Sequence, residues 1–112
     1  MRNATRGVEL AASAGAAETS KERRTGLLRH ERLAPGEGLW IAPCEAVHTF
    51  GMKFPIDVVF LNRQRKVLKV RENVGPRKIA VCLRAHSVLE LPAGTVAATG
   101  TAPGDVLEFV SL

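Results

Sequence analysis

The sequence predicts an α+β fold in which a mostly antiparallel, barrel-like β-sheet carries two short helices. Three observations carry this. Short runs rich in β-branched and aromatic residues, such as Asp57-Val58-Val59-Phe60-Leu61, recur along the chain. Turn signals separate them, among them Pro35-Gly36, Gly75-Pro76, Pro92-Ala93-Gly94 and Pro103-Gly104-Asp105. No strand and long helix alternate, which excludes a βαβ architecture. The 112 residues fit a single domain spanning 1–112, and 46% apolar with 24% charged residues argues against wholesale disorder. Trp40 and four Phe are the only aromatics, so core volume falls mainly to Val and Leu.

In chain order, Met1–Asn3 and Val8–Ala11 form a small hairpin around Gly7, a residue able to take the positive φ of its turn. Residues 12–17 are Ala-rich. Thr19-Ser20-Lys21-Glu22 has the form of a capping box and predicts a helix over Ser20–Arg29. Pro35-Gly36-Glu37-Gly38 ends it. Strands follow at Leu39–Ile41 and Val47–Phe50, and Pro43 and Pro55 forbid a long helix between them. Asp57–Leu61 is a buried strand, Asn62–Arg65 a polar hairpin loop, and Lys66–Arg71 the returning strand, with Leu68 and Val70 on one face. Residues 73–86 form a long connection with room for one short element. Ser87–Leu91 alternates with Leu89 and Leu91 together, Val96–Thr99 is a brief helix closed by Gly100, and Val106–Val110 is the last strand.

Sixteen Lys and Arg against eleven acids leave a net charge of +5, enough to favour anionic partners at low salt. No run of 18 apolar residues offers a transmembrane segment, and Glu9 interrupts the Ala-rich N-terminal stretch, so the expected location is cytoplasmic. Cys44 and Cys82 are then free thiols by default. Neither a G-x-G-x-x-G nor a G-x-x-x-x-G-K pattern occurs, which removes the usual nucleotide cradles.

Chemistry concentrates in Pro43–Leu61, where Cys44, His48 and Met52 recur every four residues ahead of Asp57. Positions four apart share a strand face, so a thiolate, an imidazole and a thioether could meet a soft metal such as copper or zinc if the backbone bends near Gly51. The competing account is packing: Cys and Met fill apolar gaps, and the set lacks the four close ligands of structural zinc. A thiol-dependent enzyme would use Cys44 as nucleophile, His48 as base and Asp57 to orient the imidazole. Against it, no nucleophile elbow is visible, and an acid before a buried strand commonly accepts backbone hydrogen bonds instead. Weak non-specific nucleic-acid binding is the third alternative. The cations spread over several segments without an aromatic platform, which argues against it.

Arg24-Thr25-Gly26-Leu27-Leu28, the central HTFGMKFPIDVVFL, Glu90-Leu91-Pro92-Ala93-Gly94 and Gly104-Asp105 occur in that order. Together they resemble domain of unknown function family 192, also called uncharacterised protein family 0127, over about residues 19–110. The family's aromatic-x-Met-Lys and Pro-x-Asp pattern falls on Phe50, Met52, Lys53, Pro55 and Asp57, with a departure at Gly51, where an aromatic residue is common. The resemblance implies one compact β-rich domain and no particular reaction. The expectation from the residues is a non-enzymatic small-ligand-binding or accessory module. Its site, around residues 44–57, would be lined by Cys44, His48, Thr49, Met52, Lys53 and Asp57 and rimmed by loop 73–86. No cofactor is expected; the partner is a small ligand or a protein.

Overall fold

Six consecutive residues, Ile56 to Leu61, are all buried, so this run needs cover on both of its faces. The computed structural model, which describes residues 1–19 and 33–110, places it inside a five-stranded sheet with a smaller sheet against either side. The strands are β1 (Arg2–Asn3), β2 (Val8–Glu9), β3 (Ser13–Ala17), β4 (Glu37–Ile41), β5 (Ala46–His48), β6 (Ile56–Leu61), β7 (Val67–Val74), β8 (Ile79–Val81), β9 (Ser87–Pro92) and β10 (Leu107–Glu108). One short helix, α1 (Thr95–Thr99), lies among the described residues and ends on Gly100 at φ 68°. None of the described helices is long and apolar enough to cross a membrane.

The large sheet runs β3-β4-β9-β6-β7, with β6 antiparallel to both of its neighbours. Alternation along β6 divides the interior. Val59 and Leu61 join Leu89, Leu91, Val96 and Leu107 under the β10-β1-β2 sheet, while Ile56, Val58 and Phe60 join Met52, Val74, Ala80, Cys82 and Val88 under the β5-β8 ribbon. Full burial of each such aliphatic or aromatic side chain contributes about 1.5–3 kcal/mol, which makes β6 the strand on which both cores depend.

Several expectations are corrected. Among the described residues the sheet does not close into a barrel: β3 and β7 are its two edge strands and do not pair with each other. The helix expected over Ser20–Arg29 lies outside the described residues. Residues 13–17 form an edge strand, paired in parallel with β4, whose Ala and Gly content hid it from a propensity argument. Leu68 and Val70 do not share a face. The pairing slips between Phe60↔Lys69 and Leu61↔Val67, so one extra residue enters β7 and sends Leu68 to the second core, while Val67 and Val70 pack on the first. The last strand is two residues long, shorter than the five expected.

Gly38 in β4 has a packing reason: a Cβ there would sit 3.1 Å from Ala11 Cβ and 3.2 Å from Leu91 Cδ2. A side chain there would require Ala11 and Leu91 to give by a few tenths of an ångström.

The β1-β2 hairpin, with Gly7 at φ 68°, is fastened by Asp105. Its Oδ2 accepts from Asn3 Nδ2 at 2.9 Å, from Ala102 N at 3.0 Å and from Arg6 Nε. These donors, Arg6 foremost, hold the carboxyl below the ordinary Asp value of 3.8. A depressed value means that this contribution to stability is present above pH 3.8 and is lost as acidification proceeds through the lower folded value. Asp105→Ala should cost about 2 kcal/mol, since it strips partners from a buried amide and a backbone N–H. Urea melts at neutral pH read the loss directly.

Candidate functional site

Three segments converge on an open cleft of about 1220 Å³: Pro43–Ala46 with His48, the hairpin tip Asn62–Gln64, and Arg84–His86. Backbone bonds hold them in place. Cys44 N donates to His86 O at 2.9 Å, His86 N donates to Leu61 O at 2.8 Å, and Cys82 N donates to Glu45 O at 2.8 Å. The tip keeps its shape because Asn62 Oδ1 accepts from both Gln64 N and Lys66 N at 2.9 Å. This is the local side-chain bonding for which Asn is favoured in turns.

The lining is unevenly charged. Arg63 and Arg84 supply two guanidinium groups and His48 and His86 two imidazoles, against the single carboxylate of Glu45. Cys44 is half-buried at the wall, and its thiol donates to Ala46 O at 3.2 Å. His48 stands exposed on β5, its ring centroid 5.9 Å from that of Phe50. No disulfide joins Cys44 to Cys82, which lies in the second core.

Of the residues singled out from the sequence, Cys44 and His48 reach this cleft and four do not line it. Met52 is buried with Ile56, Val58 and Phe60 and does not line the cleft with Cys44 and His48. Among the described residues no group of three or more His, Cys, Asp or Glu side chains could hold a metal ion. Thr49 is also buried; its hydroxyl donates to Gly75 O at 2.6 Å and accepts from Lys78 N at 2.9 Å, pinning the loop before β8. Lys53 is exposed away from the lining.

Asp57 has no exposed surface and faces backbone donors instead of His48. Its Oδ1 accepts from Asn73 N at 2.8 Å, and its Oδ2 accepts from Gly94 N at 3.1 Å and Val96 N at 2.8 Å. The carboxylate therefore ties β6 to the far end of β7 and to the start of α1.

Arg63, Arg84 and His86 enter the site from the hairpin loop and the 73–86 connection. The sequence placed the 73–86 loop at the rim of the Cys44 site without singling out Arg84 or His86, and read Asn62–Arg65 only as a polar hairpin loop, so Arg63 had no local signal.

Architecture and cleft together define a small, mostly antiparallel β domain with a hollow lined by Arg and His side chains. The chain belongs to the DUF192 family, described as Uncharacterized ACR, whose model matches residues 1–109. The match therefore includes the N-terminal hairpin and β3, ahead of the region the motifs had covered. A crystal structure of a protein of unknown function from Novosphingobium aromaticivorans DSM 12444 is similar, with a TM-score of 0.78 and 26% identity over 86% of this chain and 74% of that one. A second is that of a candidate transcription regulator from Sinorhizobium meliloti 1021, with a TM-score of 0.79 and 28% identity over 85% of this chain and 79% of that one. No curated protein matches the sequence.

Proposed function

We propose that the chain is a non-enzymatic binding module whose cleft takes a small anionic ligand of the carboxylate or phosphate class. One observation carries the reading: two guanidinium groups and two imidazoles line one hollow beside a single carboxylate. Arg pairs with carboxylate and phosphate through charge-assisted, often bidentate, hydrogen bonds, so two of them around one hollow favour a compact anion. Two cysteines with no disulfide between them fit a reducing, cytoplasmic setting.

Titration calorimetry with inorganic phosphate, succinate and citrate tests it. At least one of these should bind saturably, and Arg63→Ala and Arg84→Ala should each weaken it about tenfold, the worth of one charge-assisted bond. Absence of saturable binding to all three, or variants that bind like the parent, would refute the reading. A thiol-dependent enzyme stays the second reading because Cys44 and two imidazoles share the cleft. Turnover of an activated ester that disappears in Cys44→Ser would favour it.

A further inference from the structure

When one face of a β-ribbon packs on a core, bulky apolar side chains belong underneath and polar ones outside. β5 keeps this order, with Val47 packed inward and His48 exposed, but β8 and the residues after it reverse it. Ala80 and Cys82 point inward at 1% and 8% exposure, while Ile79, Val81 and Leu83 stand 60%, 37% and 75% exposed. Beyond the end of the partner strand Phe50 is 49% exposed beside His48, and the pairing of His48 with Ile79 and of Ala46 with Val81 puts these side chains on the same outer face. Scattered exposed aliphatics need no explanation, but a contiguous stripe marks an interaction surface.

The charge around the stripe selects its partner. Residues 46–56 and 73–89 contain no Asp or Glu, whereas Arg77, Lys78 and Arg84 are exposed around the ribbon, and Lys69 Nζ donates to Val81 O at 2.9 Å. Exposed Glu45 and Glu72 stand just outside these segments, so a second copy of the +5 chain would set several cations against few acids at the rim. A nucleic acid would satisfy the cations and leave the aliphatic stripe wet. A surface with anionic groups above an apolar interior satisfies both.

We propose that this face docks on an anionic lipid bilayer, with Phe50, Ile79 and Leu83 entering the headgroup boundary and Arg77 and Lys78 meeting lipid phosphates. Ala46, His48 and Arg84 belong both to this face and to the cleft, whereas Arg77 and Lys78 do not line the cleft, so substitutions at these two separate vesicle docking from ligand binding.

Co-sedimentation with vesicles of phosphatidylcholine alone and of phosphatidylcholine mixed with phosphatidylglycerol tests it. The protein should partition onto the mixed vesicles and not onto the neutral ones, and added salt should release it. The double variant Arg77→Gln/Lys78→Gln should lose about twenty-five-fold in partition, at about fivefold per surface charge. Ile79→Ser and Leu83→Ser should each lose about tenfold through the aliphatic area left in water. If either serine variant melts early, Phe50→Ser carries the same comparison. Equal binding to both vesicle types, no binding to the mixed vesicles, or variants that partition like the parent would overturn the proposal. Capture of an acidic amphipathic peptide without vesicle binding would overturn it too, and would assign the face to a protein.

Discussion

Asp57→Ala should lower the free energy of unfolding by about 5 kcal/mol, enough to leave a domain of ordinary stability, about 5–15 kcal/mol, partly or wholly unfolded. The deleted carboxylate accepts from Asn73 N, Gly94 N and Val96 N, and no water reaches a side chain with no exposed surface. Each stranded buried N–H costs about 1–3 kcal/mol. Asp57→Asn is the sharper comparison. Its amide keeps one acceptor oxygen and turns an NH₂ group toward backbone donors, so it should cost about 3 kcal/mol and still yield a folded protein. Denaturant melts measure both variants. Anion affinity in the Asp57→Asn protein should match the parent once the folded fraction is counted, because Asp57 does not line the cleft. An Asp57→Asn variant as stable as the parent but without ligand affinity would return Asp57 to the site.

Glu90 should make the protein less stable as pH rises from about 4.5 to about 7, by about 3 kcal/mol in all. It lies on β9 between Leu39 of β4 and Val58 of β6, 5% exposed, on the face it shares with Val88. Burial raises its carboxyl from 4.5 to about 7. Below pH 4.5 both folded and unfolded chains hold the proton and the stability is at its fullest. Between the two values only the unfolded chain ionises, which favours unfolding, and above pH 7 the loss is complete. Glu90→Gln, neutral at every pH, should flatten this dependence and exceed the parent at pH 8 by up to about 3 kcal/mol. Melts of the two proteins at pH 5 and pH 8 decide the matter: a parent no less stable at the higher pH would mean that the carboxyl ionises freely in the fold. The same buried acid belongs to the Glu90-Leu91-Pro92-Ala93-Gly94 motif, so the motif carries a group whose charge the fold resists.

Much of the architecture was legible in the residues. The runs at 57–61 and 87–91, the Gly7 and Gly100 turns and the short helix before Gly100 all depend on side-chain alternation or on backbone freedom within a few positions. β3 was hidden because Ala and Gly have low strand propensity, and the edge strand forms by pairing with a neighbour more than twenty residues away. The candidate site was half legible. Cys44 and His48 stood out by chemistry and reach the cleft, whereas Met52 had equal chemical appeal and lies in the core.

Local patterning was sufficient to establish a mostly antiparallel, strand-rich domain, its main turns and a chemically dense centre at residues 43–61, because each of these rests on neighbours in the chain. The company Cys44 keeps was settled by the fold. Pairing of His86 with Cys44 and Leu61 draws Arg84 and the Arg63 hairpin to one hollow, while the bulge in β7 and the lengthwise burial of β6 send Leu68 and Asp57 inward, and Met52 packs into the second core. Register between distant strands governs such meetings, and a one-residue slip turns a side chain from solvent to core.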